Sequence, residues 1–161
     1  MAEAPITRAE LLPALKQFYC DYAEVLDQRR TAEWVELFVD DCVYSLTTYR
    51  NATTKGMYLI FEKGRAAVTR RAAVASGYLR AQRSKTLHMI SNVRLAELGG
   101  SQLTAKAYFV MFRTARDRTS QLQACGEFHD RLEYAGGRLR LIEHNVIFDA
   151  ETLPANMGDL F

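Results

Sequence analysis

Apolar residues in the first forty positions recur at helical spacing, whereas those after about residue 86 alternate with polar ones. Leu11, Leu15, Phe18, Tyr22 and Val25 mark one stripe of a helix, with Leu12, Tyr19 and Leu26 beside it. "TRAE" at 7–10 has the capping-box pattern that opens such a helix, and Pro13 offers an alternative start one turn later. "DQRR" at 27–30 ends it. Thr31 is placed to cap a short second helix over "AEWVELF", and the Asp40–Asp41 pair closes that unit. "CVYSL" reads as a short strand and "TTYRNATTKG" as a polar loop. An alanine-rich run over 61–76 predicts a third helix, with Phe61, Val68, Ala72 and Ala75 on one face and Gly77 as its stop.

From there the period is two. Strands are predicted over 86–97, 102–114, 119–134 and 138–148, joined by "LGGS" and "AGGR" as tight hairpin turns and "ARDR" as a looser one. Leu122, Ala124, Phe128, Leu132 and Tyr134 share one face of the third of these strands, with Gly126 at a bend or bulge. Helices first and long antiparallel strands afterwards make an α+β layout in one domain, 1–161. A strongly curved antiparallel sheet wrapped around the N-terminal helices buries both sets of elements. That is the cone-shaped arrangement of cystatin-like and ketosteroid-isomerase-like proteins.

Composition changes this picture little. With 48% hydrophobic and 25% charged residues, the 161-residue chain is ordinary for a globular protein. No apolar run approaches the ~20 residues of a membrane span, and "MAEAPITRAE" lacks the apolar core of a secretory signal. A cytoplasmic protein is expected. Cys20, Cys42 and Cys125 are odd in number and far apart, which argues against a disulfide framework or a structural zinc. A net charge of +2 is too small to imply nucleic acid, yet Lys63, Arg65, Arg70, Arg71, Arg80, Arg83 and Lys85 occupy one stretch without an acid. That stretch is either a solvated helix face or a docking surface for an acidic partner, with Arg65, Arg70, Arg71, Arg80 and Arg83 as its interface candidates.

A cone has an interior, so a pocket enzyme must be weighed. The polar residues available are Tyr44, His88, Asn92, His129, Asp130 and His144. Strand parity puts His88, Ile90 and Asn92 on one side, and places Asp130 opposite in direction to His129. A buried Asp130 requires a partner, which an arginine or His88 could supply. Two readings follow. His88, Asn92 and Asp130 form a satisfied internal polar network, or His88 and Asp130 act with Tyr44 as the acid–base machinery of a stand-alone isomerase or dehydratase. No pair of histidines has metal-ligand spacing, no glycine-rich phosphate loop occurs, and no nucleophile motif is present.

Four segments resemble one family. "DQRRTAEWVELFVDDCVYSL" resembles the helix–helix–strand opening of the small (beta) subunits of Rieske-type aromatic-ring-hydroxylating oxygenases. "LHMISNVRL" resembles that family's His-apolar-apolar-Ser/Thr-Asn-apolar-Arg strand, with His88, Ser91, Asn92 and Arg94 in place. "CGEFHDRLEY" resembles its Gly-x-x-x-Asp segment through Gly126 and Asp130. "RLRLIEHNVIFDAETLPANMGDLF" resembles the closing strand and tail, with Asp149, Leu153 and Asn156 matching. The basic, proline-free "ASGYLRAQRSKT" and "KGMYLIFEKGRAAVTRR" resemble the salicylate-hydroxylase and anthranilate-dioxygenase branch more than the hydrocarbon dioxygenases.

The resemblance implies a non-catalytic subunit with no cofactor of its own. The Rieske iron–sulfur cluster, the mononuclear non-haem iron and the substrate pocket are expected in a large (alpha) subunit. Three large and three small chains would form the hexamer, served by a ferredoxin and a reductase, and an aromatic acid, salicylate first, would be the substrate. The sequence has no Cys-x-His paired with Cys-x-x-His, the ligand pattern of a Rieske cluster.

Overall fold

The computed structural model describes residues 7–116, 119–152 and 158–161. Its elements are α1 (Arg8–Asp27), α2 (Thr31–Glu36), β1 (Phe38–Thr48), α3 (Tyr49–Thr54), β2 (Ile60–Lys63), α4 (Arg65–Ala81), β3 (Ser84–Gly99), β4 (Gln102–Ala115), β5 (Ser120–Ala135) and β6 (Arg138–Phe148). One curved six-stranded sheet has the order β2-β1-β6-β5-β4-β3, with α1, α2 and α4 packed on its inner face as an α+β cone. The four C-terminal strands pair antiparallel through successive hairpins. β1 runs parallel to β6, so the sheet is mixed where the sequence pattern predicts an antiparallel one. Alternation fixes which side chains face the core; it carries no information on the direction of a neighbour that no hairpin joins.

The capping box at the start of α1 forms. Thr7 Oγ1 accepts from the Glu10 main-chain N–H at 3.4 Å, and Glu10 Oε2 accepts from Thr7 N–H at 3.0 Å. Pro13 lies inside the helix without moving its start, since Leu11 N–H already reaches Thr7 O at 3.1 Å. The helix ends where Arg29 adopts a left-handed φ of 58°, and Arg30 N–H closes back on Val25 O at 3.0 Å. Arg29 then clasps the end of α4. Its guanidinium donates to Leu79 O at 2.6 Å, to Gln82 O at 3.2 Å and to Ser84 O. Arg30, not Thr31, occupies the N-cap of α2, and its side chain makes no capping bond; Thr31 is the first helical residue.

The middle of the chain departs most from its sequence reading. Exposed Asp40 and Asp41 lie inside β1, where the β1–β6 register shifts, rather than closing a helical unit. The "polar loop" holds the end of β1 and α3, and Thr48 Oγ1 caps α3 by accepting from Asn51 N–H at 3.3 Å. Phe61 is not on a helix. It belongs to the edge strand β2 and is exposed, while α4 starts at Arg65 and continues through Gly77 to Ala81. Val68, Ala72 and Ala75 do line the buried face of α4.

The inner face of the sheet receives the apolar stripe of α1, from Leu11 to Leu26, against Phe109, Phe128, Leu132, Val146 and Phe148. Buried aromatic rings fill the centre: Phe109 stacks on Phe128 at 4.7 Å, and Trp34 meets Phe38 edge-on at 4.8 Å. Bulges curve the strands around this core and reverse their parity. In β5 the shift opposite Met111 and Phe112 turns Leu122 outward, away from Ala124, Phe128 and Leu132, with which alternation groups it. Gly126 serves close approach: a Cβ there would lie 2.0 Å from Ile147 O, so only glycine lets β5 and β6 meet at this bend. The tail positions Leu153 and Asn156 and part of the "ARDR" turn lie outside the described residues.

Candidate functional site

Adjacent residues of β5 and β6 build two different polar sites on opposite faces of the sheet. Inside the cone, Asp130 of β5 faces His144 of β6, and both side chains are fully buried. His144 Nδ1 donates to Asp130 Oδ1 at 2.8 Å, and Tyr19 of α1 donates its hydroxyl to Asp130 Oδ2 at 2.6 Å. The other ring nitrogen, Nε2, lies 2.9 Å from the Phe161 carbonyl oxygen and 3.0 Å from the Tyr22 hydroxyl. That hydroxyl donates to Phe161 O at 2.5 Å and accepts from Trp34 Nε1 at 2.9 Å. Tyr44 stacks on the His144 ring and accepts weakly from Phe161 N–H at 3.4 Å.

Burial holds all three phenols in their neutral form. It pushes the Tyr44 hydroxyl up to about 12, helped by Asp159 and Glu62 and opposed by the Arg71 charge. Burial, and next the Asp130 carboxylate, raise Tyr19 well above the ordinary tyrosine range. Tyr22 is raised likewise, by burial first and then by Tyr44, against the hydrogen bond from Trp34. The network therefore ties α1, α2, β1, β5, β6 and the chain near Phe161 together through buried hydrogen bonds. A cavity beside it, lined by Trp34, His88 and Asp159, measures about 10 Å³, room for no more than one water.

The sequence places Asp130 in such a network but mispairs it. Its partner is His144, not His88 or an arginine. His88 sits elsewhere, with Nδ1 donating to Asp27 Oδ1 at 2.7 Å and its main-chain N–H to the same carboxylate at 3.0 Å. It pins the last turn of α1 to β3. Asn92 does not join any internal network: it is exposed at the β3 bulge, with a left-handed φ of 52°. The predicted common face of His88 and Asn92 is thus broken by the bulge that separates them. Tyr44, His88 and Asp130 do not converge as acid–base machinery around an open space.

The outer face is open. Ser45, Asn145, His129 and Lys106 form one cross-strand row over β1, β6, β5 and β4. Ser45 Oγ donates to Asn145 Oδ1 at 2.7 Å, and Asn145 Nδ2 donates to His129 O at 2.9 Å. His129 Nε2 donates to Glu127 Oε2, and Arg131 to Glu143 Oε1, each at 2.6 Å. These four side chains are 30% to 40% exposed. Glu127, His129 and Glu143, with Ser45 and Asn145, floor a cleft of about 600 Å³ that α3 and the segment after it wall off. No sequence motif marks this cleft, because its residues come from three strands, a short helix and a loop.

The basic stretch divides. Arg65 is tied inside the chain, pairing with Glu36 at 2.6 Å and donating to Phe38 O at 2.6 Å, and Arg71 reaches Asp159 O at 3.3 Å. Arg70, Arg80 and Arg83 are exposed. Among the described residues no cluster of three or more His, Cys, Asp or Glu side chains is arranged to hold a metal ion. The three histidines are each engaged with a different carboxylate, Asp27, Glu127 or Asp130, and the three cysteines are free and apart. A Rieske cluster or an iron site does not fit these residues. Among the described residues no helix is long and apolar enough to cross a membrane.

The family described as "Ring hydroxylating beta subunit" matches residues 22–155. The chain belongs to this family. A relative from Pseudomonas putida, the small oxygenase component of the p-cumate 2,3-dioxygenase system, is 28% identical over 81% of this chain and 75% of its own. The beta 1 subunit of the terminal oxygenase component of terephthalate 1,2-dioxygenase from Comamonas is 22% identical, over 83% of this chain and 87% of its own. A crystal structure from Novosphingobium aromaticivorans, described as the beta subunit of an aromatic-ring-hydroxylating dioxygenase, superposes with a TM-score of 0.82. It is 25% identical and covers 92% of this chain and 95% of that one. Members of the family are small subunits of multi-subunit Rieske oxygenases, in which the cofactors sit in the large subunit, so the chain is part of an oxidoreductase complex.

Proposed function

We propose that this ring-hydroxylating beta subunit is a structural, non-catalytic component of a cytoplasmic oxygenase, and that the oxygen chemistry belongs to its large partner. The observation that carries the reading is the close-packed interior: the acid–histidine pair whose side chains are both fully buried, Asp130–His144, is held by Tyr19, Tyr22 and Phe161 beside a cavity of about 10 Å³. An aromatic substrate needs a pocket of ~300 Å³ or more, far beyond the cavity beside this pair inside the cone. The same packing disfavours an isomerase or dehydratase built on Tyr44, His88 and Asp130.

The substrate class we assign is an aromatic acid. Two relatives are named for p-cumate and terephthalate, both aromatic carboxylates, which supports that class; salicylate belongs to it too and is the first compound to test. Three large and three small chains form the assembly in this reading, with a ferredoxin and a reductase delivering electrons.

The test is to purify the chain alone and together with its cognate large subunit, then to measure iron content and oxygen uptake with salicylate, benzoate and naphthalene. The isolated chain is expected to hold no iron and consume no oxygen, while the complex does both, with the acids preferred over naphthalene. Iron and turnover in the isolated chain would overturn the reading.

A further inference from the structure

The cleft on the outer face of the sheet is built rather than incidental. Its wall is fixed at both ends: Thr48 caps α3, and Leu59 N–H returns to Leu46 O at 2.8 Å. Between them Asn51 Nδ2 and Thr47 Oγ1 both donate to Met57 O, at 3.0 and 3.3 Å. Gly56 fits against Asn51 so closely that a Cβ would lie 2.6 Å from its Oδ1. This bracing holds open a volume of about 600 Å³, the size that takes a ligand or an inserted side chain.

The chemistry of the lining favours a cation: the carboxylates of Glu127 and Glu143 outnumber the one ammonium, that of Lys55. Glu127 and Glu143 contribute two carboxylates, each using one oxygen on a neighbour, His129 or Arg131, while the other accepts no hydrogen bond among the described residues. Tyr49 and Tyr58 line the same cleft and are each more than half exposed, offering ring faces on which a planar guanidinium can stack. A carboxylate with a vacant oxygen suits a guanidinium through charge-assisted bonds. Around the opening Met57, Leu59 and Phe61 are exposed, with Tyr58 and Phe61 rings 5.2 Å apart. An apolar, aromatic rim around a charged centre is the make-up of an interface anchor point, not of a solvated loop.

We propose that this cleft receives an arginine side chain presented by the large subunit, and that α3 and β2 form the surrounding docking surface. The inference rests on the small-subunit reading above. It moves the interface from the basic stretch, where Arg65 and Arg71 are engaged internally, to the acidic, tyrosine-walled cleft.

The experiment compares binding of the cognate large subunit to the wild-type chain, to Tyr58→Ala and to the double variant Glu127→Gln/Glu143→Gln, with Arg70→Glu/Arg80→Glu as the contrast. Thermal melts check that each variant is folded. Both cleft variants are expected to raise the dissociation constant at least about tenfold, the loss typical of an anchor residue, while the arginine reversals change it little. Wild-type affinity in both cleft variants overturns the proposal and leaves the small-subunit reading standing. Failure of the wild-type chain to bind any large subunit counts against that reading instead. In that case N-acetylarginine amide decides the cleft alone. Saturable NMR shifts at Tyr58 and His129, absent with the neutral N-acetylcitrulline amide, uphold cation recognition, and no shifts overturn it.

Discussion

Asp130 and His129 are neighbours in β5, and His144 and Asn145 are neighbours in β6, yet the two pairs live in different physical worlds. Asp130 and His144 point into the cone, are fully buried, and lie in hydrogen-bond contact with two tyrosines and a main-chain carbonyl. His129 and Asn145 point outward, with Glu127 and Glu143, into a cleft open to solvent. The same residue types therefore do opposite jobs. In a low-dielectric interior an acid–histidine pair fixes the relative positions of the elements around it, and breaking it leaves an uncompensated charge. At the surface a similar pair costs little to rearrange, so its groups remain available to a partner.

The sharpest way to break this contrast is Asp130→Ala. It strands His144 and Tyr19 inside the core, and a loss of roughly 3–5 kcal/mol in the free energy of urea unfolding is expected. A loss within ~1 kcal/mol would mean that the interior pair is not the fastener the geometry describes. Alkaline pH probes the same network without mutation. The Tyr44 hydroxyl is held at about 12 in the folded chain against roughly 10 when unfolded. Because the folded value is the higher one, the contribution is complete below pH ~10 and is lost as pH rises toward 12. Tyr19 and Tyr22 shift in the same direction. Urea midpoints are thus expected to stay flat with respect to these groups up to about pH 10 and then fall, and tyrosinate absorbance from the three should appear only with unfolding. The smallest effect belongs to the outer face. Glu127→Gln is expected to change stability by no more than about 0.5 kcal/mol in the same urea assay, which a loss comparable to that of Asp130→Ala would contradict.

Much of the architecture is written in local pattern. The capping box, the stripe of α1 and the start and end of β6 match their sequence reading, because each depends on neighbours within a few residues. The family is legible for the same reason: its segments carry fixed residues in a fixed order. Where the reading fails, an element is short or covered. β2 has only four residues and α3 six, too few to display a period, and Phe61 looked like part of a helical stripe while standing exposed on an edge strand.

The polar sites were half legible, and the reason lies in the bulges. From the "AGGR" turn Ala135 pairs with Arg138, and a regular ladder continued from there would set Asp130 opposite Glu143. The register slips by one residue between Arg131 and Leu132, and His144 takes that place instead. A similar slip in β3 removes Asn92 from the face of His88. A bulge answers the need of a long strand to bend around the helices it covers, so its position is set by packing and not by the residues beside it. By itself the sequence determined the order and type of the long elements, the capped first helix, the family, and the burial of Asp130. Only the tertiary structure decided the parallel seam between β1 and β6, the marriage of Asp130 to His144, and the cleft floored by His129 and Glu127, since each joins residues that only strand register and curvature bring together.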